Sequence, residues 1–196
     1  MTDPQTAIAS AALALRERRF ADALAAAEQG LASAPFDPAL LGLAALALLQ
    51  LERREEALPY LRRQVAAAPQ DMAARFNLAT VLTATGQAEE ARPLAFAHQG
   101  HPGLARIAGY FHQQDGNLAE AVAAYRAGLD RAPQDWESWN NLGNCLVQLG
   151  DNASAIGAFE NAINRSPFPS LPEIFLNLSQ ALGAVDRREL RLGNAE

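Results

Sequence analysis

Residues 136–167 read WESWNNLGNCLVQLGDNASAIGAFENAINRSP, and this stretch decides the fold. Trp139, Leu142, Gly143 and Leu146 stand at i, i+3, i+4 and i+7, which places them on one face of a helix. Gly150 and Asp151 form a turn, after which Ala155, Phe159, Ala162 and Ile163 repeat the helical spacing. Two short amphipathic helices therefore follow each other, each with an apolar stripe wider than its partner can cover. A neighbouring unit of the same kind has to cover the rest.

That neighbour is present in the chain. Pro35, Pro69, Pro133 and Pro167 close successive second helices at intervals of 34, 64 and 34 residues. The gap of 64 holds one unit of 34 and one of 30, the short unit lacking about one helical turn. Turn glycines agree: Gly86, Gly116 and Gly150 are 30 and 34 residues apart.

A helix–turn–helix period of 34 with these residues resembles the tetratricopeptide repeat (TPR) family. The best copy has Trp139, Leu142, Gly143, Ala155, Phe159 and Pro167 in the family slots, with Leu146 where Tyr is usual. The copy before it keeps Gly109, Ala121, Tyr125 and Pro133, and has Ala105, Ala108 and His112 in place of Trp, Leu and Tyr. The third keeps Leu78, Gly86 and Ala91 with Ala79 for Gly; the first two keep Ala23 with Pro35 and Ala57 with Pro69. The resemblance spans about residues 4 to 169. It implies an all-α, right-handed superhelical α-solenoid of about five helix-turn-helix units, with a C-terminal capping helix over residues 172 to 184.

The expected organisation is one continuous solenoid. Residues 1–101 hold three N-terminal units, the third one shortened, and residues 102–196 hold two units and the capping helix. Pro93 lies inside the second helix of the short unit, and the segment His98 to Gly103 breaks the helix, so a hinge or kink is expected near Gly100. The polar tail from Asp186 begins a further helix at most.

Composition agrees with an all-helical chain. Hydrophobic residues make up 49%, mostly Ala and Leu, against 7% aromatic, which favours close helix packing over strands. The net charge of -6 argues against nucleic acid, whose affinity rests on clustered cations. All sixteen basic residues are Arg, so lysine-dependent Schiff-base and P-loop chemistry is excluded. Cys145 is the only cysteine, which rules out an intrachain disulfide, and it reads as a small core residue. The run Ala7 to Leu15 has no basic flank before it and continues into Arg16, so it reads as a first structural helix rather than a signal peptide. No apolar stretch reaches the roughly 20 residues a bilayer crossing needs, and a cytoplasmic location with no membrane contact is the expectation.

Catalytic and metal chemistry find little support. His98 and His101 have one-turn spacing but Gly100 and Pro102 interrupt the helix, and His112 sits in a packing slot, so no metal site is expected. Ser154, Ser166 and Ser170 lack a nucleophile elbow. No enzyme activity and no cofactor are expected.

Binding fares better, because stacked hairpins present their first helices on one wall. Away from the core stripe, the best copy shows Asn140, Asn141, Asn144 and Gln148. Asn77 and Asn177 precede Leu78 and Leu178 as Asn141 precedes Leu142. An amide carries both donor and acceptor, so such a row can hold the N–H and C=O of an extended peptide. This recurrence resembles the Asn ladder of TPR proteins that bind extended polypeptide; an ordinary solvated amide face is the other reading. Arg106 and Tyr110, together with Arg75, are placed near the same wall. In the second unit, Leu43, Leu46 and Leu49 are surplus to the core stripe of Leu41, Ala44, Ala45 and Leu48; either neighbouring helices bury them in part, or they form a candidate patch for a partner or a second copy. Trp136 is a further candidate anchor. The leading expectation is a protein-protein interaction scaffold that binds a peptide or protein segment in its groove. The alternatives are an N-terminal accessory domain of a larger enzyme (sulfotransferase, glycosyltransferase or hydroxylase type) and a self-association module forming a homodimer.

Overall fold

The computed structural model describes residues 2–168 and 171–193, and all of its regular structure among these is helical. Five hairpins follow in order: α1 (Pro4–Arg16) with α2 (Phe20–Leu31), α3 (Pro38–Gln50) with α4 (Arg54–Ala67), and α5 (Met72–Ala84) with α6 (Ala88–Ala97). Next come α7 (Pro102–Gln114) with α8 (Leu118–Leu129), and α9 (Trp136–Gln148) with α10 (Asn152–Arg165). A single helix, α11 (Pro172–Gly193), ends the described chain. The short third copy is visible in α6, which has 10 residues where the other second helices have 12 to 14.

Local chemistry sets these boundaries. Asp3, Asp37, Asp71 and Asp135 stand just before α1, α3, α5 and α9, and each carboxylate accepts backbone N–H bonds from the first turn. Asp151 does the same for α10. His101 occupies the equivalent slot before α7 and makes no side-chain cap bond there. Each hairpin turns through one left-handed residue: Arg18, Glu52, Gly86, Gly116 and Gly150, all with φ between 60° and 79°. The repeat period therefore runs through the backbone even where the first two turns lack glycine.

Packing divides the chain into two compact units, Met1–Leu94 and Ala95–Glu196, so the division falls inside α6 just past Pro93. In the first unit the core is nearly all Ala and Leu: Ala7, Ala11, Ala27, Leu31, Leu40, Leu41 and Ala44 cluster together. In the second unit the aromatic rings enter. Tyr125 and Phe159 are fully buried with Leu142, Leu146 and Cys145 around them. Their space comes from glycine. A Cβ on Gly109 would lie 2.7 Å from the Tyr125 ring, and one on Gly143 would lie 2.5 Å from Phe159. In the first two hairpins the equivalent positions are Ala11 with Ala27 and Ala45 with Leu61, all buried and none of them aromatic.

One expectation is corrected. The C-terminal helix does not stop near residue 184 but runs on to Gly193, because Arg, Glu and Leu are strong helix formers even without an apolar stripe. Of the surplus leucines, Leu46 is exposed, whereas Leu43 packs on the first unit's core and Leu49 is half-buried, a mixture of the burial and the exposure that the sequence leaves open.

Candidate functional site

Within the second unit, α9 packs against α7 on one side and α11 on the other, so three successive first helices form a wall. Asp135 fixes the start of α9: its carboxylate accepts from the Ser138 N–H at 3.3 Å and from the Ser138 hydroxyl at 2.7 Å. With the helix anchored, Trp139, Leu142, Gly143 and Leu146 turn to the core as the periodicity predicts. The indole of Trp139 donates to the Pro133 carbonyl at 2.9 Å, and the Arg165 guanidinium lies 5.6 Å from its ring centre.

The opposite side of the wall carries the amides. Gln113 from α7, Asn144, Val147 and Gln148 from α9, and Asn177 and Gln180 from α11 line one open pocket of about 270 Å³. Asn177 Nδ2 donates to Asn144 Oδ1 at 3.0 Å, tying α11 to α9 between two of the lining residues. Gln113 Oε1 accepts from the Tyr125 hydroxyl at 3.3 Å. Burial pushes the Tyr125 phenol well above its ordinary range, the nearby Cys145 adds to this, and Arg106 and a hydrogen bond from Asn141 oppose it. Burial also pushes the Cys145 thiol up to about 11, so it is protonated at neutral pH.

The structure brings together three of the residues singled out from the sequence, Asn144, Gln148 and Asn177, and adds Gln113 and Gln180. Neither addition lies in a slot that the Asn-Leu recurrence marks. Gln180 was within reach of the sequence, since it follows Asn177 by one turn as Gln148 follows Asn144. Asn141 is engaged with Tyr125, and Asn140 is half-buried; neither is among the described lining residues of the pocket. Asn77 is exposed on α5 in the other unit.

Arg106 is not an open cation. It pairs with Asp135 at 3.5 Å and with Glu137, both from the start of the next first helix, and only a quarter of its side chain is exposed. Tyr110 is 40% exposed, its ring 5.6 Å from that of Phe111. Arg75 donates to the Pro69 carbonyl, the bond that Trp139 makes to Pro133 two copies later. Trp136 is half-buried and meets the exposed Phe168 edge-on at 6.0 Å.

The His112 ring stacks obliquely 4.9 Å from Phe96, and His101 stands at the start of α7. Ser154 serves as a backbone donor to the Asp151 cap, and Ser170 lies outside the described residues. Among the described residues no group of three His, Cys, Asp or Glu side chains could hold a metal ion, and no helix is long and apolar enough to cross a membrane.

Two family models, both described as tetratricopeptide repeat, match the sequence. One covers residues 8–71 and 109–170, the other residues 48–97. No curated protein matches it. Among solved structures the chain is similar to YrrB, described as a TPR protein with an unusual peptide-binding site, at 19% identity and a TM-score of 0.71. That match covers 91% of this chain and 92% of YrrB. It is also similar to MamA (residues 41 to the end) from Desulfovibrio magneticus RS-1, at 19% identity and a TM-score of 0.70 over 83% and 94% of the two chains. The C-terminal part of a TPR repeat-containing protein from Cytophaga hutchinsonii matches at 15% identity and a TM-score of 0.70, over 92% and 72%. At these identities the likeness is one of fold. With one family model alone spanning more than half of the sequence, the chain belongs to the tetratricopeptide repeat family.

Proposed function

We propose that this chain is a non-catalytic interaction scaffold that holds an extended segment of another protein along the wall formed by α7, α9 and α11. One observation carries the reading: Asn144, Gln148 and Asn177, with Gln113 and Gln180, converge from three successive first helices on one open pocket. Each amide offers a donor and an acceptor, which suits the alternating N–H and C=O of an extended backbone. The described peptide-binding site of YrrB, a protein of the same fold, supports the same kind of role.

The segment is held by hydrogen bonds rather than by charge. Arg106 is already neutralised by Asp135 and Glu137, so it does not act as a clamp for a terminal carboxylate. Selection of phage-displayed random linear peptides on the intact chain, followed by fluorescence polarisation, tests this. Peptides that bind the wild type are expected to lose at least about tenfold in affinity against Asn144→Ala plus Asn177→Ala, with the helical circular dichroism unchanged. Equal affinity for the two proteins would rule out this wall as the binding surface.

A further inference from the structure

A second pocket of the same unit owes its opening to a break in the repeat. Second helices of neighbouring copies are bridged by side chains: the Tyr60 hydroxyl on α4 donates to Glu28 on α2 at 2.7 Å, and Arg62 on α4 pairs with Glu90 on α6 at 2.6 Å. Arg126 on α8 stands five residues after the repeat alanine Ala121, as Arg62 does after Ala57. The slot of Glu90, one residue before Ala91, is taken by the neutral Ser154 before Ala155. Arg126 therefore makes no ion pair among the described residues; Asp151 senses its charge, but that carboxylate is held by Ser154 as the cap of α10. What remains is an open pocket of about 350 Å³, with Arg126, Asp130 and Ser154 in its lining beside the apolar Trp139, Leu142 and Leu146. Gly157 also lines it, and a Cβ there would meet nothing within 4 Å.

We infer that this pocket receives Phe36 of a second copy, so that the chain associates head to tail. Phe36, in the loop between α2 and α3, is 72% exposed, more than any other large apolar side chain described. It comes with charges that complement the lining. Asp37 follows it, and the cap of α3 uses only the Asp37 Oδ1, which leaves Oδ2 to accept from Arg126. Arg63 donates to the carbonyl of Pro35, the residue before Phe36, and is the cation available to Asp130. An exposed ring accompanied by an acid and an arginine thus meets an apolar pocket lined by an arginine and an acid. Phe168 is the poorer plug, because Trp136 already meets its ring and its neighbours Pro167 and Pro169 carry no charge. The volume lies at the low end of ligand sites and suits one ring with its backbone. Plug and socket are different surfaces, so the contact is heterologous and can repeat. One inserted loop makes a small interface, so the association is weak, with a Kd of about 0.1 mM.

Sedimentation velocity of the intact chain over a concentration series tests this. The wild type is expected to pass from the 20.9 kDa monomer to larger species as its concentration approaches about 1 mM. Phe36→Ser removes the plug at an exposed position, and Gly157→Trp fills the socket from a helix position with open space around it. Each alone should stay monomeric with its helical circular dichroism unchanged. Mixed one to one, the two retain one intact plug and one intact socket between them, and are expected to form a dimer and nothing larger. Arg126→Glu, at an exposed side chain, gives an independent socket variant and should weaken association at least about tenfold. A wild type that remains monomeric at about 1 mM would overturn the inference. So would either single variant associating as the wild type does, or a mixture of the two folded variants that stays monomeric.

Discussion

Gly143 and Phe159 show how one residue pair specifies a hairpin. A hydrogen at position 143 leaves room for a fully buried ring, and a methyl group there would lie 2.5 Å from it. The Gly143→Ala variant is expected to lose about 1–3 kcal/mol, the range for overpacking a well-filled core, despite alanine's better helix propensity. The second hairpin pairs Ala45 with Leu61 in the equivalent slots, so adding Phe159→Leu to Gly143→Ala should recover part of the loss. Urea denaturation of the two single variants and the double variant gives the coupling; simple additivity would show that the two positions do not share one space. The stripe holding Gly143 is legible from spacing alone. What the spacing does not reveal is that Asn141, on the far side of that stripe, reaches back to Tyr125, because periodicity gives a face and not the reach of a side chain.

At the scale of the element, the hairpin is defined by an aspartate before its first helix and a left-handed residue in its turn. The turns at Gly86, Gly116 and Gly150 are readable in the sequence, and those at Arg18 and Glu52 are not, since no glycine marks them. Yet the same geometry is imposed on both residues, with φ of 60°, and a side chain in that region costs about 1 kcal/mol. Glycine relieves this strain and returns some of the gain through a freer unfolded chain. Arg18→Gly and Glu52→Gly should each therefore stabilise the first unit, by about 0.5 kcal/mol, read as a higher urea midpoint at unchanged m-value. A lowered midpoint would mean that Arg18 or Glu52 contributes more through its side chain than its backbone strain takes away. The end of α11 escapes the sequence pattern for a related reason. Residues 186 to 193 are mostly polar, and apolar periodicity reports burial rather than helicity, so the pattern fades before the helix does.

At the scale of the molecule, the period of 34 makes the five hairpins and the shortened third copy legible, because each copy repeats the same packing problem. The amide pocket is only half legible, since a site built across three helices depends on how neighbouring copies turn their side chains toward one another. The same stacking concentrates two titratable groups in the second unit's core, Tyr125 and Cys145, and gives the fold a dependence on alkaline pH. Burial raises both above their ordinary values, the thiol from 9.0 to about 11. Below the unfolded value both states hold the proton and the stability is intact. As pH rises from 9 towards 11, the unfolded thiol ionises while the folded one does not, so stability falls until the folded group ionises too. For the thiol this loss amounts to about 2–3 kcal/mol once the pH has passed its folded value. The urea midpoint should hold steady up to about pH 8.5 and drop between pH 9 and 11, with a shallower drop in Cys145→Ala. The alanine variant lacks the thiol but keeps Tyr125, so its remaining slope separates the contribution of the phenol. Identical slopes in the two proteins would show that Cys145 ionises as readily folded as unfolded, and would place the alkaline sensitivity elsewhere in the unit.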